Sequence, residues 1–225
     1  MRSPSTRFLQ RIAANLRLTG LGIAILALTI QARGEDAKPS PEPEEKKPVA
    51  SGILFVSKAS LPKVYAPIDG AKETVLAPAY VGKYTLRLYS REKWEADGLA
   101  WESFYARALK TADELVDDLE VELKRDPRGV LDYAEVRSDS PWLSSVLLSG
   151  RFLTRFEEDF GERLHVIIVD RRQLYVFPAD GGKLQQYAAA LADLYHDDSV
   201  IRHPVSLEVF LVDKEGFRVI GSIGD

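Results

Sequence analysis

His196, Asp197, Asp198 and His203 fall within eight residues of one another, and imidazole and carboxylate are both metal ligands. Two imidazoles share one helix face only at the i, i+4 spacing, which His196 and His203 lack. The stretch therefore reads more readily as the solvated end of a helix and the loop beyond it than as a metal site. A serine hydrolase would need a nucleophile, a base and an orienting acid. His165, His196 and His203 are the only imidazoles, and no G-x-S-x-G elbow presents a serine to any of them. His165 alternates with apolar positions, as a half-buried strand histidine does.

Three further patterns carry chemistry in principle. Ser60-Leu61-Pro62-Lys63 has the S-x-x-K spacing of penicillin-binding enzymes, and Lys110-Thr111-Ala112 and Ser138-Asp139-Ser140 echo their other boxes, but the order is wrong and the domain too short. Paired carboxylates for glycoside hydrolysis are available at Asp117-Asp118 and Glu157-Glu158-Asp159; in an acidic chain such runs also make a wet helix face. Arg171-Arg172, at a turn between strands, has the guanidinium pair that would clamp an anion, although hairpin tips often carry Arg. Gly216, Gly221 and Gly224 lack the Lys-Ser/Thr of a phosphate loop and read as turn and tail.

The elements that must hold these residues follow from composition and period. The chain has 225 residues, a formal charge of −4 and no cysteine, which excludes a disulfide framework, thiolate zinc, c-type haem and a cysteine nucleophile. Arg2, Arg7, Arg11 and Arg17 precede the uncharged run Leu18 to Ala32, an n-region followed by an h-region. Residues 1–34 are expected to be a signal peptide, cleaved after Ala32 or Gly34; an uncleaved anchor is the alternative. Residues 35–50, EDAKPSPEPEEKKPVA, are too polar and proline-rich to bury surface and are expected to be a disordered linker. Loss of the leader's arginines moves the charge to about −8, which disfavours nucleic acid or an anionic membrane as a partner.

Residues 51–225 are long enough for one independently stable domain. Strands are expected at Gly52 to Ser57 and Tyr84 to Ser90, with Pro62, Pro67, Asp69-Gly70 and Pro78 breaking the chain between them into short extended pieces. Trp101, Phe104, Ala108, Ala112, Leu115 and Val116 recur at helical spacing. Leu119 to Lys124 and Val130 to Val136 flank Asp126-Pro127-Arg128-Gly129, the residue order of a type I turn. Ser140-Pro141 caps an expected helix through Leu148, and a second helix, Arg151 to Phe160, closes at Gly161. A hairpin over Leu164 to Phe177, a helix through Tyr195 and a hairpin from Val205 to Ser222 complete an α+β domain of antiparallel hairpins packed with about four helices. The two halves share an order of strand, helix and hairpin, with LEVEL at Leu119 and LEVFL at Leu207. A degenerate tandem repeat would explain this, and so would chance similarity of Leu/Val/Glu strands.

The run SPWLSSVLLSGRFLTRFEEDFGERLHVIIVDRRQLYVFPADGGKLQQYAAALADLY, followed by PVSLEVFLV, together with VGKYTLRLYSREKWEADGLAWESFYARALKTA, resembles the YtpQ-like family of uncharacterised proteins over residues 75–221. The resemblance implies a fold and carries no reaction or cofactor. Members of that family are mostly expected in the cytoplasm, whereas this chain begins with an export signal.

The expectation is an exported domain, periplasmic or secreted, that binds a protein or an envelope component without catalysis, cofactor or metal, and that has no membrane span once the signal is removed. The alternative is a small hydrolase, metal-assisted or not, using His196 with Asp197 or Asp198 and, more distantly, His203. Arg171 and Arg172 are the candidate anion contacts.

Overall fold

The computed structural model describes residues 50–82 and 85–223, all within one compact unit, residues 48–225. The expected signal peptide, nearly all of the expected linker, Tyr84 and Gly224 lie outside the described residues.

β1 (Ala50–Ser57), β2 (Ala66–Pro67), β3 (Thr74–Val81) and β4 (Leu86–Leu88) form a four-stranded sheet. β3 pairs antiparallel with β1 along its length, and on its other side with β2 and then β4. The eight-residue β3 stands where the prolines predicted broken pieces. Pro78 is tolerated because its carbonyl accepts the Tyr89 N–H at 3.0 Å. Its backbone therefore faces the β2/β4 side, and its missing N–H falls between the Val75–Leu76 pairs with β2 and the Ala79–Val81 pairs with β4.

Helix α1 (Arg91–Ala96) is capped by Ser90, whose Oγ accepts the Lys93 N–H. Helix α2 (Trp101–Asp117) buries Phe104, Ala108, Ala112 and Val116, a stripe at i, i+4, i+8 and i+12. It packs on β1, on α3 (Arg151–Phe160) and on a short 3₁₀ helix, Leu143–Leu148. That last element is a correction to the α-helix expected from Ser140. The Ser140 hydroxyl does accept the Trp142 N–H at 3.3 Å, but all six residues of Leu143–Leu148 are buried. A segment enclosed on every side has no polar face to satisfy, so the packing, not amphipathic periodicity, selects the tighter turn.

β5 (Glu120–Arg125), β6 (Leu131–Arg137), β7 (Leu164–Asp170), β8 (Gln173–Pro178), β9 (Glu208–Asp213) and β10 (Gly216–Ser222) form a six-stranded antiparallel sheet in the order β10-β9-β7-β8-β6-β5. The turn joining β5 and β6 closes with Gly129 N–H on the Asp126 carbonyl at 2.9 Å, the type I geometry that its residues predict. Period-two alternation sends Ala134, Val136, Val166, Ile168, Leu174, Val176, Phe210 and Val212 into a core shared with α2, α3 and β1. Phe55 of β1 meets Phe210 edge-on at 5.5 Å, so the two sheets touch directly. On the opposite face Tyr133 and Phe177 contact Tyr187 of α4 (Leu184–Tyr195). The domain is α+β, with antiparallel sheets throughout. The half-to-half correspondence is not matched in topology: the strand preceding α2 belongs to the smaller sheet, whereas the hairpin preceding α4 belongs to the larger one.

Buried polar groups and one close backbone approach tie the sheets and the 3₁₀ helix together. Glu208 accepts the N–H groups of Lys72, Glu73 and Thr74 at 2.6, 2.9 and 2.9 Å. The outer edge of β1 is closed by serines of the 3₁₀ helix, with Ser145 Oγ donating to the Ile53 carbonyl at 2.7 Å and Ser144 Oγ accepting from Phe55 N–H. Gly70 has φ +73°, and a Cβ there would lie 2.1 Å from the Val219 carbonyl oxygen, so close approach of β10 requires glycine.

Candidate functional site

The residues singled out by the sequence do not form one constellation. His196 caps the C-terminal end of α4 with its ring against Tyr195. The Asp197 carboxylate accepts the N–H and hydroxyl of Ser199 at 2.9 and 2.6 Å, bonds that hold its pKa below the usual range. Asp198 is exposed. Among the described residues no group of three or more His, Asp and Glu is placed to hold a metal ion.

His203 instead joins Arg171 and Arg172. β7 and β8 turn at these arginines, and the Arg171 N–H donates to the His203 carbonyl at 3.0 Å. Between them lies buried Asp170. Its Oδ1 accepts the Arg172 N–H at 2.8 Å, and its Oδ2 accepts those of Arg202 and His203 at 3.0 and 2.6 Å. Three backbone bonds occupy this carboxylate, and Arg171, Arg172 and Arg202 form no ion pair with any described residue. Partial burial, and then the Arg171 charge, lower the His203 pKa against the pull of Asp170. The Arg171 pKa is itself lowered, chiefly by burial. Arg202, adjacent to His203, was within reach of sequence reading. Arg137 was not, since its place opposite Gln173 depends on the pairing of β6 with β8.

Two other polar clusters pair largely among their own members. Lys183 Nζ reaches Asp126 at 3.2 Å and Asp132 at 2.5 Å, and the Tyr187 hydroxyl donates to Asp132, which fastens the β5–β6 turn to the start of α4. Burial would raise the Asp126 pKa, but hydrogen bonds from Val130, Lys183 and Arg128 hold it far below the carboxylate range. Buried Glu135 takes Gln173 Nε2 at 2.7 Å and pairs with Arg137. Burial, and then Glu135, push the Tyr175 hydroxyl well above its usual pKa.

A cavity of about 320 Å³ opens beside the β9–β10 turn. Tyr105, Leu148, Leu153, Val212 and Phe217 line it, with Asp213 and Glu215 at its edge. Arg218 contacts both acids, at 3.0 and 3.8 Å. Ser149 also borders the cavity and hydrogen-bonds Asp113 Oδ1 at 2.5 Å, a serine paired with an acid and not with an imidazole base. No helix among the described residues is long and apolar enough to cross a membrane. No family model, curated protein or solved structure matches this chain.

Proposed function

We propose that this domain is a non-enzymatic binding module of an exported protein, and that its cavity beside the β9–β10 turn receives a polypeptide segment of a partner. The observation that carries this is the cavity's make-up, a lining as polar as it is apolar in which Tyr105, Leu148, Leu153, Val212 and Phe217 stand beside two carboxylates that share the single charge of Arg218. About 320 Å³ lies at the lower end of the range for ligand pockets and suits one or two large side chains. The residual negative charge at the edge favours a segment in which apolar side chains stand beside Lys or Arg. The export signal and the YtpQ-like resemblance belong to the same proposal, and neither brings a reaction with it.

Affinity capture from the native envelope with the full chain, using a photo-crosslinker at exposed position 215, tests it. The crosslinked segment should be apolar and basic, and Tyr105→Arg, which projects a charge into the cavity, should abolish its capture. Capture that survives Tyr105→Arg, or a crosslinked segment without basic residues, would refute the cavity as the binding site.

A further inference from the structure

The opposite end of the six-stranded sheet carries a concentration of positive charge that the net acidity of the chain does not predict. β6 ends at Arg137, opposite Gln173 at the start of β8, and Gln173 is also opposite Asp170, the last residue of β7. Beyond Asp170 the chain pairs again at Pro204. Neighbouring strands lie about 4.8 Å apart, so the row from Arg137 to Pro204 spans roughly 15 Å. Arg171 and Arg172 occupy the turn over this row, with Arg202 and His203 beside it.

Two features separate this cluster from ordinary surface arginines. The carboxylate at its centre, Asp170, has both oxygens engaged by backbone N–H groups of Arg172, Arg202 and His203. It thereby gathers cationic residues without using its hydrogen-bonding capacity on their side chains. A second buried carboxylate nearby, Glu135, is taken by Gln173 and Arg137, and exposed Asp139, which follows the Ser138 whose N–H bonds the Arg172 carbonyl, forms no ion pair with the arginines among the described residues. Further, the Nε atoms of Arg137 and Arg171 are buried with no hydrogen-bond partner among the described residues. Buried polar atoms in folded proteins are nearly always paired; Arg137 already pairs with Glu135, so it is the Arg171 guanidinium, with no ion pair among the described residues, that points to an acceptor from outside the chain.

We infer that this end of the sheet binds an oxyanion of the phosphate class, held by Arg171, Arg172 and Arg202. Guanidinium groups match the oxygens of phosphate through paired, charge-assisted bonds. Three arginines without an ion-pair partner among the described residues exceed what one carboxylate would neutralise, which leaves positive charge for a phosphate anion. The site is independent of the cavity, which lies at the other end of the sheet, where Val212 is opposite Leu164. The same chemistry could come from free phosphate or from an anionic lipid headgroup.

The test titrates the full chain with sodium phosphate at ionic strength held constant with sodium chloride, following thermal unfolding and amide NMR shifts. A parallel arm sediments the chain with phosphatidylcholine vesicles, with and without phosphatidylglycerol. Phosphate should raise Tm saturably and shift the Arg171, Arg172, Arg202 and His203 resonances. Arg171→Gln and Arg172→Gln should each weaken binding roughly tenfold, the effect of one charged hydrogen bond, while Arg87→Gln, in β4 of the other sheet, should not. Binding of phosphate without vesicles assigns a free anion. Vesicle binding that requires phosphatidylglycerol and Arg171 assigns a headgroup. If Arg171→Gln fails to fold, Arg172→Gln, at an exposed turn position, decides. A phosphate effect no larger than that of chloride with no vesicle binding, or binding unchanged in folded variants, would overturn the inference.

Discussion

Glu208, the first residue of β9, accepts the backbone N–H of Thr74, the first residue of β3, at 2.9 Å across 134 positions of sequence. One carboxylate thus aligns the starts of strands in two different sheets, with Lys72 and Glu73 donating to its other oxygen.

Glu208→Gln is expected to destabilise the domain by about 2–4 kcal/mol, since either orientation of the amide sets an NH₂ against backbone N–H groups and a buried charge-assisted network is lost. Urea unfolding measures it. Glu215→Gln at the exposed β9–β10 turn should stay within about 0.5 kcal/mol.

Ser145→Ala removes the hydroxyl that pairs the Ile53 carbonyl on the closed edge of β1. The orphaned carbonyl should cost about 1–3 kcal/mol. Hydrogen exchange should quicken at β1 before it does in β7 or β8, because the lost contact is local to that edge.

Leu61 sits at φ +51° with 71% of its surface exposed. A left-handed conformation costs a non-glycine residue about 1–2 kcal/mol. No packing is lost on truncation, so Leu61→Gly should leave stability unchanged or raise it by up to about 1 kcal/mol. Gly70→Ala should do the reverse and lower the unfolding midpoint sharply, because the added methyl meets the Val219 carbonyl.

His165 and His203 both have pKa values lowered by burial, with Arg163 the next cause for His165 and Arg171 for His203. Below an unfolded value of about 6.5 the unfolded chain binds more protons than the folded one, so stability must fall as the pH drops through that point. Above it the two histidines contribute no pH dependence. Urea midpoints at pH 7.5 and 5.5 should differ in this sense, and His165→Gln should narrow the difference.

Much of the framework was legible from local chemistry. The stripe from Phe104 to Val116 predicted α2 almost to the residue, and Asp126-Pro127-Arg128-Gly129 predicted the β5–β6 turn, since both depend on groups a few residues apart. Pro78 misled because strand pairing on one side alone decides whether its missing N–H matters. Leu143–Leu148 misled because complete burial erases the polar face by which an α-helix is recognised. At the sheet end, Arg171 and Arg172 were visible as neighbours, but nothing local shows that Arg137 stands beside them or that Asp170 bonds to backbone and leaves their side chains without an ion-pair partner among the described residues.

By itself, the sequence determined the element types over most of the domain, the lack of any cysteine chemistry and the acidic balance of the chain, because period, turn residues and composition are summed over short windows. Only the tertiary structure decided which strands share a sheet, that Glu208 joins the two sheets while Ser145 closes the edge of β1, and that the arginines collect at one end. Each of those depends on contacts between residues dozens to more than a hundred positions apart, where packing of the whole chain selects the neighbours that local preference leaves open.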